Sequence, residues 1–261
     1  MSKIAALIAR EWRAQVFSPT AWIVWTLFLF LAGWMFIGVV HQFLEIVANY
    51  SAYAQYMSNP DLLERINLNE LVVSGLFGNL LVLFIFLIPA LTMRGFAEER
   101  RHGTDELLLT APVTPGQLVA GKFLGLLAVS EVLVAGAGFF ILVLLHFGDP
   151  EKGPILTGLL GLALAVVALT AIGFAVSTLT ESQVVAAVGA FVVFLLLFVV
   201  SWPAESAGGA VRELLLGLSL PAHFEGFARG TVGTADLAYF ASLTALGLFT
   251  ARTTIASQRW R

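Results

Sequence analysis

The chain has 261 residues, of which 59% are apolar and 12% are charged, and its mean hydropathy is +0.90. This composition lies outside the range of soluble domains and indicates an integral membrane protein. The absence of cysteine excludes disulfide bonds and thiolate-bound metals, and the formal net charge of −3 points to no particular partner.

An amphipathic pattern precedes the first long apolar stretch and predicts a helix over residues 1–18 that lies at the membrane interface. Its apolar residues fall on one helical face, and its basic residues point elsewhere. A basic tail that only enforces topology is the alternative. The apolar residues are Ile4, Leu7, Ile8, Trp12 and Val16, and the basic ones are Lys3, Arg10 and Arg13.

Six apolar stretches reach the roughly 20 residues that a helix needs to cross a bilayer. They are continuous and do not alternate with a period of two, which favours helices over a β-barrel. We therefore expect an all-α membrane protein with one transmembrane domain over residues 1–261. No cleavage site follows the first stretch, so we expect it to stay in the mature protein. The predicted spans are 22–40, 71–93, 118–147, 155–179, 184–202 and 237–255.

Lysine and arginine concentrate on the cytoplasmic side of membrane proteins, and here they divide unevenly between the two sides. Ten lie before the first span, between the second span and the first turns of the third, or from the last turn of the sixth span onward, and four lie on the other side. We expect a multi-pass protein of the inner (plasma) membrane with both termini cytoplasmic. The ten are Lys3, Arg10, Arg13, Arg94, Arg100, Arg101, Lys122, Arg252, Arg259 and Arg261, and the four are Arg65, Lys152, Arg212 and Arg229.

The segment between the second and third spans carries seven charged residues between Arg94 and Glu106. At the bilayer centre these would cost roughly 20 kcal/mol, so the segment must be cytoplasmic. Gly103 interrupts a first short helix, and Thr104 is a candidate N-cap for a second. The run from Thr114 to Gln117 predicts a capping box with proline at the first helical position, where the third span begins.

Two stretches resemble a known family. "RGFAEERRHGTDELLLTAPVTPGQLVAGK", from Arg94 to Lys122, resembles the segment between the second and third spans of type-2 ABC exporter permeases. "HFEGFARGTVGTADLAYF", which starts at His223 and Phe224, resembles the entry to the last span in the gliding-motility (Gld-type) branch. The six-span order is also similar.

The resemblance implies that two permeases, identical or related, join two cytoplasmic ABC ATPase subunits. Segment 94–117 would dock on the ATPase as a coupling element, and ATP-driven closure would tilt spans one, two and five. ATP and Mg would bind the partner, with no cofactor on this chain. A solvated loop is the alternative for this segment. The implied coupling residues are Arg94, Phe96, Glu98, Glu99, Arg100, Arg101, Thr104, Glu106 and Leu107, with Leu108 a further apolar anchor.

One stretch of the sequence matches the phosphate-binding loop motif only in part. Residues from Gly116 to Lys122 match its first seven positions, but Phe123 replaces the serine or threonine that would hold magnesium, and no strand precedes it. We therefore expect ATP hydrolysis by another polypeptide.

Two segments are expected on the outer side. The connection 41–70 is long and either functional or partly disordered, with a short helix near Pro60. Segment 203–236, which includes His223 and Phe224, resembles the re-entrant outer hairpin of type-2 exporters.

Glu131 lies deep inside the third span, where an acid is expensive. It either lines a translocation path between two permeases or only donates a hydrogen bond to a neighbouring helix when protonated. Ser130, Ala135, Gly136 and Gly138 would allow that helix to approach closely.

The sequence predicts the permease subunit of an ATP-driven exporter of an unidentified substrate. No catalytic motif is present, and we expect no nucleic acid partner. We expect the chain to contact the lipid bilayer, and an extracytoplasmic accessory protein is a further candidate partner. The alternatives are a force-transmitting or assembly subunit that moves no cargo and a secondary transporter, which should show paired halves.

Overall fold

The computed structural model describes residues 3–57, 68–101, 103, 113–148 and 150–258. Every regular element in these residues is helical, as the composition predicts. The elements are α1 (Lys3–Val16), α2 (Pro19–Met57), the π-helical turn π1 (Asn69–Ser74), α3 (Gly75–Thr92), α4 (Ala97–Arg101), α5 (Pro115–Phe147), α6 (Lys152–Leu179), α7 (Gln183–Val199), α8 (Ser201–Ser206), α9 (Gly209–Leu218), α10 (Leu220–Ala228) and α11 (Thr234–Gln258).

Six helical stretches in the described residues are long and apolar enough to cross a membrane, so the all-α, six-span prediction is confirmed. Each contains one of the apolar runs identified from the sequence. They are Pro19–Ala52, Asn69–Arg101, Pro115–Phe147, Lys152–Leu179, Gln183–Ala204 and Thr234–Gln258.

The connection expected over 41–70 is helical for most of its described length. Helix α2 continues to Met57, and π1 begins at Asn69. Residues 41–57 contain no glycine or proline to end a helix, and hydropathy alone does not register a helix that continues beyond the bilayer. The short helix expected near Pro60 lies outside the described residues.

Helices α3 and α6 form the centre of the bundle, and the other spans pack around them. Small residues allow the closest approaches. A Cβ atom on Gly247 of α11 would lie 2.6 Å from the backbone carbon of Ala171 in α6. These two helices therefore touch backbone to backbone, an arrangement typical of membrane helix pairs.

One end of the bundle, the basic end, brings together the first helix, the charged segment and the last helix. Phe96, Leu118 and Ile255 are buried in one apolar cluster, and Leu7 packs against it. These three parts of the chain therefore lie at one end of the bundle, and the side of the membrane on which that end lies stays a prediction.

The opposite end is joined by hydrogen bonds between distant segments. Ser74 Oγ donates to the carbonyl of Ala228 at 2.9 Å, and Thr157 Oγ1 donates to that of Phe227 at 2.8 Å. The backbone N–H of Glu151 donates to Asn69 Oδ1 at 3.0 Å. These bonds fix α10 and the start of α6 against the start of the second span.

Segment 203–236 folds as short helices instead of a seventh span. Helix α9 has no buried residue, whereas α10 buries Phe224 and Phe227 against the bundle. Ser219 caps α10 by accepting from the N–H of Ala222 at 3.2 Å. Its re-entry into a membrane stays a prediction.

Candidate coupling site at the basic end

The start of α5 is fixed by the capping box that the sequence predicts. Thr114 Oγ1 accepts from the N–H of Gln117 at 3.2 Å, and Gln117 Oε1 accepts from the N–H of Thr114 at 3.1 Å. Pro115 occupies the first turn. This cap fixes the residue at which α5 begins, and Lys122 lies two turns later on the helix.

Helix α1 lies directly against the start of α5. A Cβ atom on Gly121 would lie 2.6 Å from Cβ of Leu7, and one on Gly125 would lie 2.5 Å from Cβ of Glu11. Larger residues at these two glycines would push the helices apart. The predicted helix over 1–18 is thus present, and one of its faces is occupied by protein.

The face of α1 that packs inward is mixed, because Leu7 packs against the apolar cluster beside the polar residues Glu11 and Gln15. Glu11, Gln15 and Ser18 are buried, whereas Trp12 is 36% exposed and Phe17 is 82% exposed. Trp12 and Phe17 therefore point away from the protein, as expected of a segment that also contacts lipid. Its interfacial position stays a prediction.

A buried lysine joins three elements at this end. Lys122 Nζ of α5 lies 3.2 Å from Glu11 Oε2 of α1 and 3.0 Å from Glu99 Oε2 of α4. Its side chain is 4% exposed, and its ammonium lies 5.3 Å from the centre of the Phe96 ring. Arg10 Nη2 adds a longer contact of 3.8 Å to Glu99 Oε1.

A second, more exposed set of contacts ties the start of the charged segment to the connection between α1 and α2. Arg94 Nη1 donates to Ser18 Oγ, and Arg94 Nε lies 3.8 Å from Glu98 Oε2. Both sets border a polar cavity of about 200 Å³. Three cations and three carboxylates line it, so its formal charges balance: Arg10, Arg94, Lys122, Glu11, Glu98 and Glu99.

The predicted coupling residues divide between an inner and an outer face of α4. Phe96 is fully buried, and its ring meets Phe174 edge to face at 6.5 Å, so this anchor lies within the chain. Glu99 also faces inward, toward Lys122. Arg101 is exposed and the side chain of Glu98 is 41% exposed, so both remain accessible to another protein.

The rest of the segment is described only in part. Arg100 is half-buried, and the N–H of Gly103 donates to its carbonyl at 3.0 Å. Gly103 has a φ of +64°, the left-handed backbone that ends a helix, as its predicted breaking role requires. Thr104, Glu106 and Leu107, as well as Leu108, lie outside the described residues.

The two remaining candidate sites lie elsewhere. Glu131 is half-buried on α5, next to exposed Ala135 one turn further along. At the opposite end, His223 Nδ1 lies 2.7 Å from Asp236 Oδ1, and the His223 ring stacks on Tyr239 at 4.1 Å. Phe224 is buried beside this pair. The resembling stretch 223–240 therefore joins α10 to α11.

The stretch that partly matches the phosphate-binding motif is helical in the structure. Gly116 to Lys122 belong to α5, and Lys122 is held by two carboxylates. Among the described residues, no three histidine, aspartate or glutamate side chains cluster as metal ligands would.

Comparison with known proteins identifies the family. A family model described as ABC-2 family transporter protein matches residues 5–249. The chain belongs to this family. Together with the six apolar helices, this membership makes the chain a multi-pass membrane protein of the ABC-2 transporter family.

Two relatives carry the name of inner membrane transport permease YhhJ. The one from Escherichia coli (strain K12) is 28% identical over 228 residues, which cover 81% of this chain, and the one from Shigella flexneri gives the same values. The matched region covers 59% of the length of each relative.

Proposed function

We propose that this ABC-2 permease is the membrane subunit of an ATP-driven exporter and that its basic end receives motion from a separate ATPase. The observation that carries the proposal is the buried contact of Lys122 with both Glu11 and Glu99. This contact joins α1, which leads into the first span, α4, which follows the second span, and α5, which is the third span. A partner could therefore act on all three spans through one surface.

The short connections around this contact allow little slack. Helix α1 is separated from α2 only by Phe17 and Ser18. Helix α4 follows α3 after a tight turn in which the N–H of Gly95 donates to the carbonyl of Thr92 at 2.9 Å. A Cβ atom on Gly95 would lie 2.8 Å from the Phe174 ring, so the turn is packed against α6. Displacement of α4 would therefore move the first and second spans together.

The third span is included because Lys122 is part of it. Separating α4 from α5 would break the 3.0 Å contact of Glu99 with Lys122 in a site shielded from water, which is strongly unfavourable. We therefore infer that α1, α4 and the start of α5 move as one unit. The resemblance implied tilting of spans one, two and five, and the ion pairs favour one, two and three.

The partners belong to the proposal. ABC-2 permeases work with cytoplasmic ABC ATPases, and here the exposed Arg101 and Glu98 would contact the ATPase. A second permease would complete the translocation path. The chain would lie in the inner membrane with both termini in the cytoplasm. Membership of the Gld-type branch, outward movement of a substrate and the role of Glu131 in its path are parts of the same proposal.

The experiment is charge reversal at the exposed side of α4. Arg101→Glu should weaken co-purification with the cognate ATPase and lower permease-stimulated ATP hydrolysis, because charges at the rim of an interface set docking register and association rate. Arg212→Glu on α9 is the matched control, since Arg212 is also exposed but lies at the opposite end. Equal behaviour of both variants would contradict the assigned docking face. Transport assays in the same complex separate an exporter from an assembly subunit.

A further inference from the structure

At the opposite end, two adjoining cavities form a cleft, the outer cleft, between the second span, the start of α6 and α10. The larger has a volume of about 450 Å³ and the smaller about 280 Å³. Both are bordered by Ser74, Ala228 and Arg229, so they lie on either side of a shared wall in which Ser74 Oγ donates to the carbonyl of Ala228. The larger cavity alone falls in the size range of sites that bind small organic molecules.

The larger cavity is apolar over most of its wall. Leu81 and Phe198 line it together with Phe224 of α10. Gly78 also borders it, and a Cβ atom on that residue would meet nothing within 4 Å. The space beside α3 is therefore open to the apolar part of a ligand.

The smaller cavity is acidic. Glu70 and Glu151 both line it, and both are exposed to solvent. Arg229 is the one cation among the residues that line it. It forms an ion pair with Glu225, whose Oε1 lies 2.6 Å from Arg229 Nη2. Across the whole cleft three carboxylates face one guanidinium, which leaves two negative charges without a counterion from its walls.

We propose that the outer cleft binds an amphipathic organic cation. Its apolar part would occupy the cavity beside Gly78 and Phe198, and its ammonium would reach across the shared wall toward Glu70 and Glu151. An anionic amphiphile is disfavoured because Arg229 already has a carboxylate partner and two further carboxylates would repel it. The binding site rests on the geometry of the cleft, and its meaning as a substrate site rests on the export function proposed above.

The test uses the full chain in lipid nanodiscs without an ATPase. Decyltrimethylammonium and decyl sulfate serve as probes with the same alkyl chain and opposite charge, and empty nanodiscs correct for partitioning into lipid. We expect saturable binding of the cation and at least tenfold weaker binding of the anion. The double variant Glu70→Gln with Glu151→Gln should weaken cation binding roughly 2- to 30-fold, since each exposed charge pair contributes modestly.

Two controls separate the site from general effects. Glu181→Gln with Glu213→Gln removes two exposed carboxylates that do not line the cleft and should leave binding unchanged. Gly78→Leu should fill the apolar cavity and abolish binding, whereas Gly138→Leu, at a glycine with equally open surroundings on α5, should not.

The proposal is overturned if the two probes bind equally, if neither saturates, or if the Glu70 and Glu151 variants bind the cation like the wild type. Because the binding assay contains no ATPase, loss of coupling in Arg101→Glu and loss of binding in the cleft variants are independent results. A cleft that binds cations in a chain that no ATPase joins would refute the export function alone.

Discussion

Replacement of Lys122 by methionine tests whether its ion pairs hold α1 against α5. The variant keeps a long apolar side chain but leaves Glu11 and Glu99 buried without their shared ammonium. Removing one partner of a buried ion pair costs about 3–5 kcal/mol. We expect the lower end, about 3 kcal/mol, because Arg10 still lies 3.8 Å from Glu99.

Detachment of α1 can be measured at a buried thiol because the chain has no cysteine of its own. Gln15→Cys would place one under α1, where the native residue is 5% exposed. Labelling then reports the population of the opened state, so about 3 kcal/mol should speed it roughly a hundredfold. Lys152→Met, at an exposed lysine of the opposite end, should leave the rate unchanged.

A rescue variant keeps the interpretation specific. Glu11→Gln and Glu99→Gln, added to Lys122→Met, remove the unpaired charges and should return labelling most of the way to its original rate. If Lys122→Met labels no faster than Lys152→Met, the ion pairs do not hold α1 in place and the proposed moving unit is incorrect.

Three further predictions follow from the topology and packing. Single cysteines at Ser2, His102, Ser206 and Ser257 should be labelled by an impermeant reagent from outside the cell only at position 206; external labelling at 102 would contradict six spans. Glu131→Gln should assemble normally but transport poorly, because an amide keeps a hydrogen bond and loses the charge; wild-type transport would make Glu131 a packing residue. Gly247→Leu should destabilise the fold, since a Cβ atom there already lies 2.6 Å from the Ala171 backbone, whereas Gly138→Leu, in open surroundings, should melt in detergent at nearly the wild-type temperature.

Local and one-dimensional features of the fold were accessible from the sequence. The six spans follow from continuous hydropathy, and the start of α5 follows from Thr114 and Gln117, which are three residues apart. Hydropathy did not predict the extension of α2 to Met57, because the residues of this helix after position 40 are mixed in polarity.

The ion-paired centre of the site required the tertiary structure. Glu11 and Lys122 are 111 positions apart, and counting lysine and arginine uses Lys122 only as an indicator of topology and leaves Glu11 out. One signal was available: Gly121 and Gly125 lie one turn apart on the same face of a helix, a pattern typical of a closely packed neighbour. Likewise, Glu99 lies three residues after Phe96 and shares its inward face, whereas Glu98 does not.

We propose above that a separate ATPase docks on the outer face of α4. The most direct measurement is crosslinking in membranes from Arg101→Cys, in a chain that has no other thiol, with Ser206→Cys at the opposite end as the control. We expect a crosslink from position 101 to an ATP-binding subunit and none from position 206. The yield of the crosslink from position 101 should change when a non-hydrolysable nucleotide is added. Transport that proceeds with no ATPase bound to this face would contradict the account.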